Sequence, residues 1–256
     1  MLILLPPSEG KRAPRRGAAL DLSGLAFPAL EPARAELLDA LVTLCTGDRE
    51  KAAEALGLGT TQLAEVDRDA GLATAPTARA DHVYSGVLYE ALDLPGLPAA
   101  AKRRATARLA IASGLFGIVR PDDRIPAYRL SGQVTLPGVG SVARYWGARL
   151  APALGEAAGD GLVVDLRSSA YAPFWKPAKH EVDRVVTVRV LHEADGRRKV
   201  VSHFNKATKG RLVRDLLLDG AAPRRPAGLR EALGDLGWHV EEAGSPTRLD
   251  VVVTEL

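Results

Sequence analysis

Lysines, serines, tyrosines and arginines recur in this chain just after short apolar runs, where a fold can gather them around one ligand. The densest stretch, Ile111 to Leu130, carries Arg120, Arg124, Tyr128 and Arg129 among turn residues. Arg120 and Arg129 have the chemistry to hold an anion, and Tyr128 that to stack on a base or sugar. Three further groups have the same character. Ser8 and Lys11 follow the first apolar run. Ser168, Ser169, Tyr171 and Lys176 follow Leu162 to Leu166. Lys206, Lys209 and Arg211 open a helical segment. Tyr145 and Trp146 add aromatic faces. Two chemistries are open to this set. Cations can hold phosphate while rings stack on bases. A lysine in an apolar wall can also lose its proton and act as a nucleophile, with Lys11, Ser168, Ser169 and Lys206 as catalytic candidates.

The elements that must position these residues follow from periodicity and punctuation. Met1 to Leu5 reads as a buried strand, as do Arg108 to Ala112 and Leu162 to Leu166. Ser113-Gly114 turns the chain, Gly117 allows close backbone approach, and Asp122-Asp123 after Pro121 is turn chemistry. Helical spacing predicts helices over Glu31 to about Thr46, Val142 to about Ala157, and near Gly228 to Leu236. His82 to Leu92 begins as a turn and becomes an amphipathic helix. Val182 to His192 and Arg198 to Phe204 are expected to pair through a hairpin at Ala194-Asp195-Gly196. Trp238 to Glu241 and Leu249 to Thr254 complete the strands. The helix from Asn205 to about Leu218 would place Lys206 and Lys209 in its first turn, where the macrodipole disfavours cations unless an anion is present.

Leu56-Gly-Leu-Gly59, followed by Leu63 and Ala64, has the pattern of a helix-hairpin-helix over about 48–70. Its hairpin amides could hold a DNA phosphate. Gly57 and Gly59 could equally close one helix ahead of an N-cap at Thr60 or Thr61.

Composition sets the wider frame. The 256 residues carry a net charge of only +3, unevenly placed. Arg197 to Arg214 holds seven basic residues and no acid, Lys102 to Arg129 seven basic against two acidic, and Glu31 to Asp69 nine acidic against four basic. A basic surface suited to phosphates or nucleic acid is expected. A single Cys45 excludes an internal disulfide, and it is expected buried and inert in its helix. The histidines (His82, His180, His192, His203, His239) have no metal-ligand spacing, so no metal or other cofactor is expected. There is no apolar run long enough for a membrane helix, no signal peptide, no repeat and no linker. The expectation is one cytoplasmic α/β (mixed α+β) domain over 1–256.

Six motifs recur in one order: MLILLPPSEGK at the start, Val83-Tyr-Ser-Gly86, Ser113 to Pro121 with Tyr128-Arg-Leu130, Tyr145-Trp-Gly147, Asp165 to Tyr171 with Lys176-Pro177, and Lys206 to Arg211. Together they resemble the YaaA peroxide-stress family over nearly the whole chain. The resemblance implies a single domain of unusual architecture with a basic cleft and a helix-hairpin-helix-like element. It also implies binding of double-stranded or structured DNA, and protection of DNA under peroxide stress with lowered free iron. This chain departs from the family's Asp-Glu-Tyr, with Ser169-Ala170-Tyr171 in its place. The competing expectation is an enzyme acting in the same cleft on a nucleotide, nucleobase or abasic DNA, as a lyase or glycosidase. A closed pocket would favour the enzyme, and an open trough the duplex.

Overall fold

The computed structural model describes residues 1–194, 196–200 and 202–254. The opening apolar run forms β1 (Leu2–Leu5), buried at all four positions as an interior strand of a parallel sheet must be. The predicted first helix, α1 (Glu31–Thr46), turns Leu37, Leu41 and Cys45 inward. Asp48 then caps α2 (Arg49–Ala55) by accepting from the Glu50 and Lys51 amides. Gly57, at φ +65°, closes that helix in the left-handed region, and the Gln62 side chain accepts from the Gly59 amide before α3 (Leu63–Ala70) begins.

Next come β2 (Ala78–Arg79), α4 (Ala80–Val83), α5 (Val87–Leu92) and α6 (Ala99–Arg108). A hairpin follows, β3 (Leu109–Ser113) and β4 (Gly117–Val119). Gly117 is required there. Its φ is +74°, and a Cβ would lie 2.7 Å from the Trp146 ring. Short pairs β5 (Arg124–Ile125) with β2, and β6 (Thr135–Leu136) with β7 (Gly140–Ser141), fix the connection.

Where one helix is predicted over 142–157 there are two, α7 (Val142–Gly147) and α8 (Leu150–Ala158). Pro152 explains the break, because proline has no amide to donate and its ring is tolerated only in a first turn. Then β8 (Val163–Asp165), β9 (Val185–Ala194) and β10 (Arg197–Lys199) follow. The hairpin between β9 and β10 is present, with the expected Asp195 outside the described residues. The second strand of that hairpin does not reach Phe204. It ends at Lys199, and α9 (Ser202–Asp219) begins three residues later. Tertiary packing overrides strand propensity, since α9 buries Leu212, Val213, Leu216 and Leu217 and docks on α5. Lys206 and Lys209 therefore lie beyond its first turn, and the macrodipole argument for them fails. The chain closes with α10 (Pro226–Asp235), β11 (His239–Glu242) and β12 (Arg248–Val253).

The result is mixed α/β. Its main sheet runs β11-β12-β9-β8-β1-β3-β4, with β10 added beside β9. β1 is parallel to both β3 and β8, with Leu5 opposite Ile111 and Leu4 opposite Asp165. From β1 the chain builds β3 and β4 on one side, then returns to build β8 and β9 on the other. In open α/β sheets a crevice forms at such a reversal, beyond the carboxyl ends of the strands. One apolar core joins the whole from Leu2 to Val251. Among the described residues no helix is long and apolar enough to cross a membrane.

Candidate functional site

The loops leaving β1 and β8 do form that crevice. A cavity of about 570 Å³ lies there, within the roughly 300–1,000 Å³ usual for small-ligand sites. Pro6 to Gly10 line one side, Leu166 to Ser169 with Tyr171 another, Ser85 to Tyr89 a third, and Asn205, Lys206 and Lys209 of α9 a fourth. Gly86 at φ +88° turns the chain into α5, which only glycine does without strain.

Each wall is held by its own bonds. The Ser8 hydroxyl donates to the Gly10 carbonyl at 2.6 Å and accepts from the Ser85 amide at 3.0 Å, which ties two walls together. Tyr89 donates to the Pro6 carbonyl at 2.7 Å. Arg167 grips Asp165 with two nitrogens at 2.9 and 2.7 Å, and also donates to the Tyr171 and Trp175 carbonyls. Tyr171 is buried, and burial with Glu9 nearby pushes its phenol up to about 12.

The two lysines on α9 differ. Lys206 is exposed at the rim and has no ion-pair partner among the described residues. Lys209 is half-buried, with Nζ 3.4 Å from the Leu166 carbonyl, and desolvation lowers its pKa against the opposing pull of Asp165.

Behind the Ser8–Gly10 wall lies a second cluster. Lys11 Nζ donates to the Ser8 carbonyl at 3.0 Å and sits 4.2 Å from the centre of the Tyr128 ring. Desolvation brings its pKa down to about 8. The Tyr128 hydroxyl is 2.7 Å from Ser113 Oγ and 3.1 Å from the Tyr84 hydroxyl, a buried chain of three hydroxyls. Arg129 leaves on the other side. Its amide donates to Asp69, and its guanidinium pairs with Glu9 at 2.9 Å. Asp69 of α3 is fully buried, and desolvation pushes its carboxyl up to about 7.

Asp69 has a consequence for stability. Between its ordinary value of 3.8 and the folded value of about 7, the folded chain holds a proton that the unfolded chain has released. Stability therefore falls as pH rises through that window. Asp69→Asn is expected to remove this fall, as read from urea midpoints at pH 5 and pH 8. An unchanged difference between the two midpoints would count against it.

The structure thus brings Ser168, Ser169, Tyr171, Lys206 and Lys209 to one cavity, with Lys11, Tyr128 and Arg129 behind its wall. Other residues named from the sequence lie elsewhere. Arg120 donates to the Ala107 and Leu109 carbonyls and covers the Phe27 ring. Tyr145 bonds the Ala33 carbonyl and the Glu36 carboxylate on α1. Trp146 is fully buried and donates to the Gly114 carbonyl. Lys176 is exposed outside the lining. Arg211, two residues past Lys209, leaves α9 on the opposite side.

Several groups that shape the site carry no sequence signal of their own. Arg167 looks like one more loop arginine, and Asp69 is hidden in an acidic run. Tyr84 and Ser85 belong to the Val83-Tyr-Ser-Gly86 segment, and that motif is the one pointer to them, while Tyr89 lies three residues further on in α5. Cys45 is buried, and desolvation raises its thiol to about 12, which makes it a poor nucleophile. Among the described residues no three His, Cys, Asp or Glu side chains stand together to hold a metal ion.

A second, more open hollow of about 620 Å³ involves Arg79, Asp81, His82, Lys102 and Asp122. Its Arg79 and Asp81 are already paired at 2.8 Å.

Fold and site together define a mixed α/β protein with a lysine- and hydroxyl-lined cavity at the reversal of its sheet. The chain belongs to the family described as peroxide stress protein YaaA, which it matches over residues 1–243. It is 55% identical over 261 residues to a UPF0246 protein of Streptomyces coelicolor, with all of both chains covered. It is 45% identical to one of Corynebacterium efficiens over 84% of each chain. A UPF0246 protein of Shewanella loihica is 31% identical over 78% of this chain and 77% of its own.

Proposed function

We propose that this chain is a cytoplasmic DNA-binding protein of the peroxide stress response, which seats one nucleotide unit of double-stranded or structured DNA in its cavity and so protects that DNA. The observation that carries this is the pairing of a nucleotide-sized hollow with Lys206 at its rim and Lys209 in its wall. Lys206 would hold the phosphate. The hydroxyls of Ser168 and Ser169, both exposed in the lining, would bond the sugar or base edge. The α9 cations, not a broad basic surface, form the proposed cleft.

The helix-hairpin-helix-like pair α2 and α3 is a weaker candidate for the contact. The Gly57, Leu58 and Gly59 amides already donate to Glu54, Ala53 and Gln62, and Asp48, Glu50 and Glu54 flank them. The lowered free iron implied by the family would then be a downstream effect.

The test is fluorescence anisotropy with gapped and bulged duplexes across a salt series. Affinity should fall linearly with salt on logarithmic axes, and Lys206→Ala should flatten the slope by about 0.9. Binding that does not change with salt would overturn the proposal.

A second reading, an enzyme acting on a nucleotide or abasic site in the same cavity, is favoured by the form of that cavity, a hollow of small-ligand size and not a trough wide enough for a duplex, and by the lowered proton affinity of Lys209.

A further inference from the structure

The three lysines at this site are in different situations. Lys11 Nζ is engaged by the Ser8 carbonyl at 3.0 Å and covered by Tyr128, behind the wall and outside the lining. Lys206 is exposed at the rim, open to solvent. Lys209 combines what a nucleophilic amine needs. It forms part of the wall itself, and it is half-buried. Its one hydrogen bond, to the Leu166 carbonyl, is long at 3.4 Å, and no carboxylate lies within ion-pair distance among the described residues. Pro6, Pro7, Val87 and Leu88 supply apolar surface in the same cavity. Burial also favours the neutral form of this amine.

We infer that Lys209 forms a Schiff base with a phosphorylated sugar aldehyde, as presented by a ring-opened abasic deoxyribose. The inference rests on the proposed function in that the cavity must seat a phosphorylated sugar. The neutral amine of Lys209 adds to the C1 aldehyde, and the new C–N bond gives a carbinolamine after a proton moves from nitrogen to oxygen. The carbinolamine then loses its hydroxyl and the remaining N–H proton as water to leave the imine, with no redox partner needed. Lys206, three residues earlier on the same helix face, holds the phosphate. Ser168 and Ser169 line the cavity where the departing hydroxyl needs a hydrogen-bond partner.

Borohydride reduces an imine to a stable secondary amine, so the inference can be read by mass spectrometry of the intact protein and its peptides. The full chain is mixed with borohydride and either a duplex carrying one abasic site or free 2-deoxyribose 5-phosphate. These two arms separate a DNA-borne aldehyde from a free sugar phosphate, and an adduct in either supports the inference. A duplex with a tetrahydrofuran in place of the abasic sugar has no aldehyde and should bind without being trapped.

The expected result is one adduct, mapped to Lys209. Lys209→Arg keeps a cation but has no amine able to form an imine, so it should abolish trapping while the variant stays folded, as its thermal midpoint reports. Lys206→Arg should still be trapped. An adduct on another lysine, or none in either arm while the tetrahydrofuran duplex binds, overturns the Schiff base and leaves the binding proposal standing. Loss of all binding by the wild-type chain overturns both.

Discussion

Arg167→Ala is expected to cost about 3–5 kcal/mol of stability, the range for removing one partner of a buried ion pair. The Arg167 side chain is 4% exposed and that of Asp165 12%, so solvent screens this pair little. The substitution leaves the Asp165 carboxylate without its ion-pair partner at the end of β8. It also strips the donor from the Tyr171 and Trp175 carbonyls and removes the cation from beside the Trp175 ring. These contacts are what fold the segment after β8 back on itself to make one wall of the cavity. Ligand binding should therefore be lost even under conditions where the variant remains folded. Urea unfolding with an unchanged slope would read the stability loss directly. Replacing both partners, with Arg167→Met and Asp165→Leu together, should recover part of the stability and none of the binding. A loss below about 1 kcal/mol would place the pair with ordinary surface ion pairs and refute its role.

Gly210→Ala and Gly155→Ala are expected to move stability in opposite directions. A Cβ on Gly210 would lie 2.3 Å from the Leu88 carbonyl oxygen and 2.9 Å from Ala91 Cβ, at the crossing of α9 on α5. The obstacle is backbone, which cannot rotate aside, so the cost belongs near the upper end of overpacking, about 3 kcal/mol. The helices must separate to admit the methyl group. Lys206 and Lys209 ride on one and Leu88 and Tyr89 on the other, so the cavity widens and its ligand is held less tightly. Gly155, inside α8, has nothing within 4 Å of the same added atom. There alanine should stabilise by about 0.5–1 kcal/mol through the lost backbone freedom of glycine. Thermal midpoints that fall for both variants would show that the α5–α9 crossing is not special.

The strands and helices that depend on local pattern were legible. Four consecutive apolar residues after Met1 can only be buried on both faces, and the Leu37, Leu41, Cys45 spacing marks α1 to its ends. What failed did so where distant contacts decide. Arg198 to Phe204 reads locally as strand, yet the strand ends at Lys199 and Ser202 to Phe204 are taken into α9, which docks on α5. Several arginines of the basic stretches also have structural work, because Arg104, Arg108, Arg120, Arg124 and Arg214 donate to backbone carbonyls of other segments. Arg34 is the extreme case. It is fully buried and bonded to the Phe116, Ile118 and Ala26 carbonyls, along the outer edge of β4. A sequence records that an arginine is present, but not which carbonyls the fold leaves unpaired beside it.

Of the site, the hydroxyls after β8 and the lysines of α9 were readable from their motifs. Trp146 and Tyr145 were not, since an aromatic residue on an amphipathic helix looks the same whether it stacks on a ligand or fills the core.

The central place of β1 in the sheet also sets a timetable for biosynthesis. This strand leaves the ribosome well before the residues it pairs with, 109–111 on one side and 163–165 on the other. At the usual pace of translation, roughly 8 to 30 s pass before the second neighbour has been made. Throughout that interval an apolar segment waits with at least one edge unpaired, and the cavity at its end cannot exist. Working copies would therefore arrive only after the sheet had closed around this strand.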